Sequence, residues 1–225
     1  MWRETIRMWW RLIVYETRIL RRETVSFVFG GLLFVTLILL LSPHSSTKQT
    51  VWIFFENLVP LALLFIPIGL ISNDREQSLI ERIFSITEPG ILIYSRRLLL
   101  ICGIDTLAIL FFALLWQWDL TTPPLGSILI TSLPPALFLT GLSFAGAVWV
   151  NDANGGATIG GSWWILNLIL KRYGDSGWFS YIYLFKQTYY PGAVSFGVNR
   201  IALVALAFIL TCVGLLGLRR PERYL

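Results

Sequence analysis

Few side chains in this 225-residue sequence could carry chemistry, and two of them lie within long apolar runs. Asp105 is the lone carboxylate of one run, and Asn57 lies near one end of another. A carboxylate at bilayer depth is costly and indicates a functional site by default. The structural alternative is that Asp105 pairs with a neighbouring helix or lies beside a polar cavity. Both residues are therefore candidate functional residues, with the structural alternative left open.

The sequence lacks the residue patterns of the common catalytic and metal sites. It contains no G-x-x-x-x-G-K-[ST] phosphate loop, no H-E-x-x-H and no cluster with the spacing of metal ligands. His44 is the only histidine and lies in the polar segment 42–50, which argues against a Ser-His triad. Asp105 also lacks the second carboxylate that an intramembrane aspartyl protease needs. We expect this chain to have no enzyme activity, metal or cofactor of its own.

The composition is that of an integral membrane protein. Hydrophobic residues make up 56% of the chain and charged residues 14%, whereas a soluble domain carries about 25% charged residues. Cys102 and Cys212 both lie in apolar runs, so we expect small buried side chains and no disulfide framework. The net charge of +5 comes mainly from arginine. In a membrane protein, an excess of arginine indicates which segments are cytoplasmic before it indicates nucleic-acid binding.

Six apolar segments predict an all-α, polytopic integral membrane protein with six transmembrane helices. The expected spans are 25–41, 51–71, 98–116, 127–150, 157–170 and 201–218. Small residues after Pro134-Pro135 indicate that the fourth span is central in the bundle. We expect residues 151–156 to form a tight turn, because no Lys-Ser or Lys-Thr follows their Gly-Gly pair as in a phosphate loop.

Residues 1–23 are predicted to form an amphipathic helix at the membrane surface, preceding the transmembrane domain of residues 24–225. At 100° per residue the arginines gather on one side, with tryptophan and aliphatic residues opposite. This arrangement suits the headgroup boundary, where rings occupy the interface and cations face anionic lipid. The residues that define this interface helix are Trp2, Arg3, Arg7, Trp9 and Arg11.

A polar, charged insert of residues 72–97 separates the second and third spans. Its apolar residues recur at helical spacing until Pro89-Gly90, and Arg96-Arg97 mark the return to the membrane. A short amphipathic helix held between two spans suits the transmission of force from a soluble partner. A solvated loop on the headgroups is the alternative. The candidate contact residues are Arg75, Glu76, Ser78, Leu79, Glu81, Arg82, Ile83 and Phe84.

The distribution of cations orients the six predicted spans. With the N-terminus inside, the inner segments hold 13 of the 18 lysine and arginine residues, which predicts that both termini are cytoplasmic. Lys171-Arg172 is the exception, because this pair falls on the outer side. The aromatic-rich residues 171–198 lack a full apolar span, so we expect partial burial at the outer interface as a short re-entrant helix pair.

This organisation resembles the membrane subunit of type-2 ATP-binding cassette exporters. The order of segments matches over nearly the whole chain, and the motif-like part is the insert. In that family the inner loop has an acidic-arginine start, a Leu-Glu-Arg-like sequence, a proline turn and a basic re-entry. Here those places are taken by Asp74-Arg75-Glu76, Ser78-Leu79-Ile80-Glu81-Arg82, Pro89 and Arg96-Arg97. The fifth span departs from the family pattern, because its apolar run is short and ends at Lys171-Arg172.

The resemblance implies an export permease of the plasma (inner) membrane that is driven by a separate ATPase. Its partners would be cytoplasmic ATP-binding cassette subunits, which bind ATP and Mg²⁺, and a second copy of itself or a related permease. The loop 72–97 would dock in a groove of each ATPase. The translocation path would include Asn57 and Asp105.

Two further expectations concern cargo and the competing hypothesis. The mostly apolar spans and the aromatic outer segment favour a hydrophobic or amphipathic substrate. The alternative function is a membrane anchor or sensor that recruits a soluble partner without transport. The identity of the substrate and the choice between homodimer and heterodimer stay open.

Overall fold

The computed structural model describes residues 22–41, 48–68, 90–117 and 123–218, which are predominantly helical and include no strand. The helices are α1 (Arg22–Leu41), α2 (Lys48–Ile68), α3 (Gly90–Trp116), α4 (Leu125–Val150), α5 (Ala153–Ile169), α6 (Lys186–Tyr189) and α7 (Phe196–Gly217). Between α5 and α6, Lys171–Tyr173 and Gly177–Tyr181 form two 3₁₀ turns. The prediction of an all-α protein is confirmed for these residues.

Four helices are long and apolar enough to cross a membrane: α2, the Ile91–Trp116 part of α3, α4 and α7. The apolar part of α1, Ser26–Leu39, is shorter. These helices are compatible with a multi-pass membrane protein, as the composition predicts. The count of six spans and the orientation of the termini remain predictions. Residues 1–21 of the predicted interface helix lie outside the described residues, and residues 22–23 belong to α1.

Helix α4 occupies the centre of the described bundle. It packs against α2, α3, α5 and α7, and it is the most buried of the four long apolar helices. It starts directly after Pro124, whose extended backbone precedes the first helical turn. Pro134 and Pro135 lie buried inside the helix, where neither can donate a backbone hydrogen bond. The central position predicted from the small residues of this segment is confirmed.

Glycines let the neighbours of α4 approach its backbone. A Cβ at Gly156 of α5 would lie 2.5 Å from the Ser143 carbonyl oxygen, and one at Gly160 would lie 2.2 Å from Ser143 Oγ. On another side of α4, a Cβ at Gly214 of α7 would lie 2.6 Å from the Phe144 ring. Close helix contacts of this kind are typical of membrane bundles, where small residues allow dense van der Waals packing.

The predicted turn at 151–156 is shorter in the structure. Asn151 adopts a left-handed conformation with φ 57° and ends α4, and α5 begins at Ala153. The Gly-Gly pair therefore belongs to α5 and contributes to helix packing. The sequence interpretation was wrong because glycine suits a close helix contact as well as a turn.

Two other helices begin earlier than the hydropathy predicted. Helix α3 begins at Gly90, so Arg96 and Arg97 lie within a continuous helix. Helix α7 begins at Phe196, so Arg200 is part of that helix. Hydropathy marks the portion of a helix that matches lipid, whereas the backbone hydrogen bonds that define the helix continue through charged residues.

The interior consists of two hydrophobic clusters that meet at α2 and α4. In the first, α1 packs on α2 and α3, which in turn pack on α4. The Phe54 ring lies 6.0 Å from Phe112 and 5.6 Å from Trp116 in this cluster. The second joins α4, α5 and α7 to the segment between α5 and α7 through buried residues such as Tyr183 and Phe185. That segment is therefore part of the packed core.

Candidate functional site

Most of the predicted site residues lie outside the described residues. They include all eight candidate ATPase contacts, Arg75, Glu76, Ser78, Leu79, Glu81, Arg82, Ile83 and Phe84. They also include the interface-helix residues Trp2, Arg3, Arg7, Trp9 and Arg11. The structure places the other two, Asn57 and Asp105.

Asp105 lies fully buried between α3 and α4. The Thr140 hydroxyl donates a hydrogen bond to Asp105 Oδ2 over 3.0 Å. Oδ1 has no hydrogen-bond partner within the described part of the chain, and no described cation forms an ion pair with this carboxylate. This contact agrees with the structural alternative, in which Asp105 pairs with a neighbouring helix, and the partner is a neutral hydroxyl.

Asn57 is also buried, in a different contact. Its backbone carbonyl accepts a hydrogen bond of 3.0 Å from the Trp164 indole of α5, which links α2 to α5. Its side-chain Oδ1 has no hydrogen-bond partner among the described residues. Asn57 is therefore held against α5, whereas Asp105 is held against α4, and no hydrogen bond joins the two predicted path residues.

The residue next to Asn57 forms a buried ion pair. Glu56 of α2 is fully buried and forms an ion pair with Arg200 of α7, which is itself 4% exposed. Glu56 also accepts hydrogen bonds from the Gln187 and Thr188 backbone amides, at 2.9 and 2.6 Å. Arg200 donates a second hydrogen bond to the Leu184 carbonyl at 3.1 Å. This network joins α2, α7 and the intervening segment.

A π-helical turn, Phe54–Leu58, carries Glu56 and Asn57. Such a turn interrupts the regular hydrogen bonding of an α-helix and frequently occurs at functional sites. It is followed by Pro60, which cannot donate a backbone hydrogen bond. The irregular backbone of α2 thus coincides with its two buried polar side chains.

Residues 171–195, which we call the cap, connect α5 to α7. Lys186 is fully buried, and its Nζ donates to the Gly174 carbonyl at 3.0 Å and to Asp175 Oδ1 at 2.6 Å. The Ser195 hydroxyl donates to the same Asp175 oxygen at 3.2 Å. These contacts close the cap on itself.

Two buried asparagines tie the cap to the helices below it. Asn199 of α7 donates from Nδ2 to the Ser180 and Tyr183 carbonyls, both at 2.9 Å. Asn167 of α5 accepts from the Leu184 amide at 3.0 Å. The cap is thus a fixed structure built of 3₁₀ turns and one short helix, rather than the predicted pair of re-entrant helices. Buried amides supply the hydrogen bonds that longer helices would otherwise provide.

Charge in the cap is set by local contacts. The hydrogen bond from Lys186 holds the pKa of the Asp175 carboxyl below its ordinary value, so Asp175 is ionised at neutral pH. Burial raises the pKa of the Tyr183 phenol, which stays neutral. The exposed Lys171 and Arg172 add positive charge beside this neutralised pair.

Helix α5 exposes a polar face. Asn154, Thr158 and Ser162 recur every fourth residue, and all three are exposed. The exposed apolar residues of the same helix are Ile159, Ile165, Leu166 and Ile169. The outward residues of α7, such as Ile201 and Phe208, are apolar. A face of amide and hydroxyl groups is unfavourable against lipid tails, because those groups then lack hydrogen-bond partners.

Comparison of the chain with protein families, with curated proteins and with solved structures finds no match.

The described polar residues are joined mainly by hydrogen bonds and ion pairs between helices and the cap. No group of three histidine, cysteine or carboxylate side chains that could hold a metal occurs among the residues described. The sequence interpretation singled out Asp105 and passed over the Glu56–Arg200 pair. The sequence did contain a signal for this pair. Glu56 and Arg200 have opposite charges, and the predicted topology places both near the outer side of the membrane.

Proposed function

We propose that this chain is the permease subunit of an ATP-driven exporter of the type-2 ATP-binding cassette class. In this proposal it has six spans and two cytoplasmic termini in the plasma membrane, and it works beside a second permease copy or a related permease. ATP and Mg²⁺ bind to the partner ATPase, which contacts the loop 72–97. The cargo is hydrophobic or amphipathic.

The observation that best supports this proposal is the exposed polar face of α5. Asn154, Thr158 and Ser162 would be unfavourable against lipid, so a second protein surface or a hydrated path should cover them. A permease that pairs with a second chain along α5 and opens a hydrated path there would supply hydrogen-bond partners for these polar groups.

In this proposal, the insert 72–97 couples ATP hydrolysis by the partner ATPase to transport by the permease. Its residue pattern is the part of the sequence that resembles the exporter family, with Leu79, Ile83 and Phe84 as an apolar plug and charged residues around them. Apolar anchors within a polar rim are typical of protein interfaces. The assignment of the insert to an ATPase contact rests on this pattern.

Affinity purification from mild detergent, followed by mass identification of the co-purifying chains, tests the proposal. We expect recovery of a soluble ATPase that carries a phosphate loop. Leu79→Asp should abolish this recovery, because a charge in the apolar plug opposes docking, whereas Leu79→Met should keep it. Glu81→Ala should abolish substrate-stimulated ATP hydrolysis by the purified complex.

Recovery of the permease alone, from wild type and Leu79→Met alike, would contradict the exporter and favour the anchor or sensor function. Unchanged hydrolysis and export in both Leu79→Asp and Glu81→Ala would show that the insert has no coupling role. Membrane insertion of each variant, measured by its yield in the membrane fraction, is the control for folding.

A further inference from the structure

The cap presents a surface that combines positive charge with exposed aromatic rings. Helix α5 ends at Ile169, and the two 3₁₀ turns that follow pack beside each other. Their exposed side chains are Lys171, Arg172, Tyr173, Trp178 and Tyr181, with Tyr173 60% and Trp178 73% exposed. We call these five residues the basic-aromatic surface.

This surface lies where the exposed side chains change from apolar to polar. Ile165 and Ile169 are exposed just before it, and Val198 and Ile201 are exposed where α7 begins after the cap. Exposed aliphatic residues belong in hydrocarbon, and tyrosine and tryptophan are enriched where hydrocarbon meets water. The basic-aromatic surface therefore belongs at the level of the lipid headgroups.

The net charge of the surface is positive. Asp175 is the nearest acid along the chain, and its Oδ1 pairs with the buried Lys186. Lys171 Nζ lies 5.7 Å from the Tyr189 ring centroid, so the lysine charge forms a cation–π contact with that ring. Arg172 is exposed and has no partner among the described residues. Its planar guanidinium is free to bind a phosphate through two parallel hydrogen bonds.

The backbone around Arg172 is fixed in advance of binding. The Tyr190 hydroxyl donates to the Lys171 carbonyl, and the Tyr173 amide donates to the Leu170 carbonyl at 2.9 Å. The Ser176 hydroxyl donates to the Tyr173 carbonyl at 2.9 Å. A ligand that binds here need not order the backbone, which lowers the entropic cost of binding.

We propose that the basic-aromatic surface binds the phosphate of an anionic phospholipid in the leaflet that contacts the cap, with Arg172 as the phosphate ligand. The rings of Trp178 and Tyr173 would lie along the glycerol region. Lipid binding at this place would explain why Lys171-Arg172 departs from the charge distribution of the other segments. It would hold whether or not the chain transports a substrate.

Native mass spectrometry of the purified chain tests this proposal. The probes are phosphatidylglycerol and phosphatidylcholine at equal concentration in the same detergent. We expect wild type to retain phosphatidylglycerol preferentially, and Arg172→Gln to lower that preference about fivefold. Arg172→Lys should retain part of the preference, because a lysine keeps the charge but loses the two-pronged geometry.

Lys48→Gln is the matched control, since Lys48 is an exposed cation at the start of α2 and lies outside the basic-aromatic surface. It should leave the preference unchanged. Equal retention of the two lipids by wild type, or equal losses in Arg172→Gln and Lys48→Gln, would overturn the proposal. Equally strong displacement of phosphatidylglycerol by soluble glycerol phosphate would also overturn it, because the site would then bind phosphate without lipid.

Discussion

Glu56 is fully buried, accepts two hydrogen bonds from backbone amides and forms one ion pair. Its partner Arg200 is nearly as buried, so each charge depends on the other for compensation. At the scale of single residues, the clearest role of this network is to hold the cap on α2 and α7.

Glu56→Gln should destabilise the protein by about 3–5 kcal/mol, because it leaves the Arg200 charge buried without its counter-ion. Thermal unfolding in detergent measures the effect. The double variant Glu56→Gln/Arg200→Met, which removes both charges, should lose less stability than the single variant. A double variant that loses the sum of the two single effects would contradict a coupled pair.

Asp175→Asn should weaken the cap at neutral pH and have no effect in strong acid. The folded-state pKa of Asp175 is lowered by Lys186, so this carboxylate contributes stability above the ordinary aspartate pKa of about 3.9. That contribution is lost as the pH falls through the lower folded value. The groups that face Asp175 are Lys186 and Ser195.

The measurement is the difference in unfolding temperature between wild type and Asp175→Asn from pH 7 to pH 3. Other carboxylates titrate in both proteins, so the difference reports Asp175. We expect the difference to be constant near neutrality and to shrink below about pH 4. A difference that persists undiminished to pH 3 would show that the contact does not depend on the charge of Asp175.

At the scale of elements, the packing of α5 on α4 depends on which glycines face α4. Gly156 lies against the Ser143 carbonyl, whereas a Cβ at Gly161 would meet nothing within 4 Å. Both residues lie in the same helix. Helix propensity therefore favours alanine at both positions, and tertiary packing opposes it at one.

Gly156→Ala should cost about 1–3 kcal/mol, because the new methyl group meets backbone that cannot rotate away. Gly161→Ala is the matched control and should be neutral or stabilising by up to about 1 kcal/mol. Chemical unfolding in mixed micelles compares the two variants. Equal losses at both positions would mean that α5 does not approach α4 through Gly156.

At the scale of the whole molecule, the exposed polar residues of α5 are where the proposed function places a second permease chain. If a second copy packs along α5, Thr158→Cys in a Cys102→Ser/Cys212→Ser background should form a disulfide-linked dimer under mild oxidation in membranes. Thr158 is exposed on that face. The denatured dimer is measured on a non-reducing gel.

Leu107→Cys in the same background is the control, because Leu107 is 67% exposed on the apolar surface of α3. It should remain monomeric. Similar dimer yields from Thr158→Cys and Leu107→Cys would indicate random collision in the membrane. No dimer from Thr158→Cys would contradict a homodimer in which the two copies of Thr158 face each other.

The sequence by itself predicted a membrane protein, with which the four long apolar helices are compatible. It also predicted the all-helical architecture and the central position of α4, which are confirmed for the described residues. These follow from apolar run lengths and from small residues, which are properties of short segments. It also singled out Asp105 and Asn57 as polar residues within apolar runs, and the structure buries both. It misplaced the Gly-Gly pair of α5 and the starts of α3 and α7, because composition within a segment does not say where the helical hydrogen bonds begin.

Only the tertiary structure decided how the buried charges are paired. Glu56 and Arg200 are separated by most of the chain, and nothing local to either residue specifies the other. Their pairing depends on α2 and α7 both meeting the cap, where Gln187, Thr188 and Leu184 supply the remaining hydrogen bonds. The local sequence determines which segments are apolar. The pairing of Glu56 with Arg200 follows from the free-energy cost of burying an unpaired charge, and neither charge is buried until the helices have assembled.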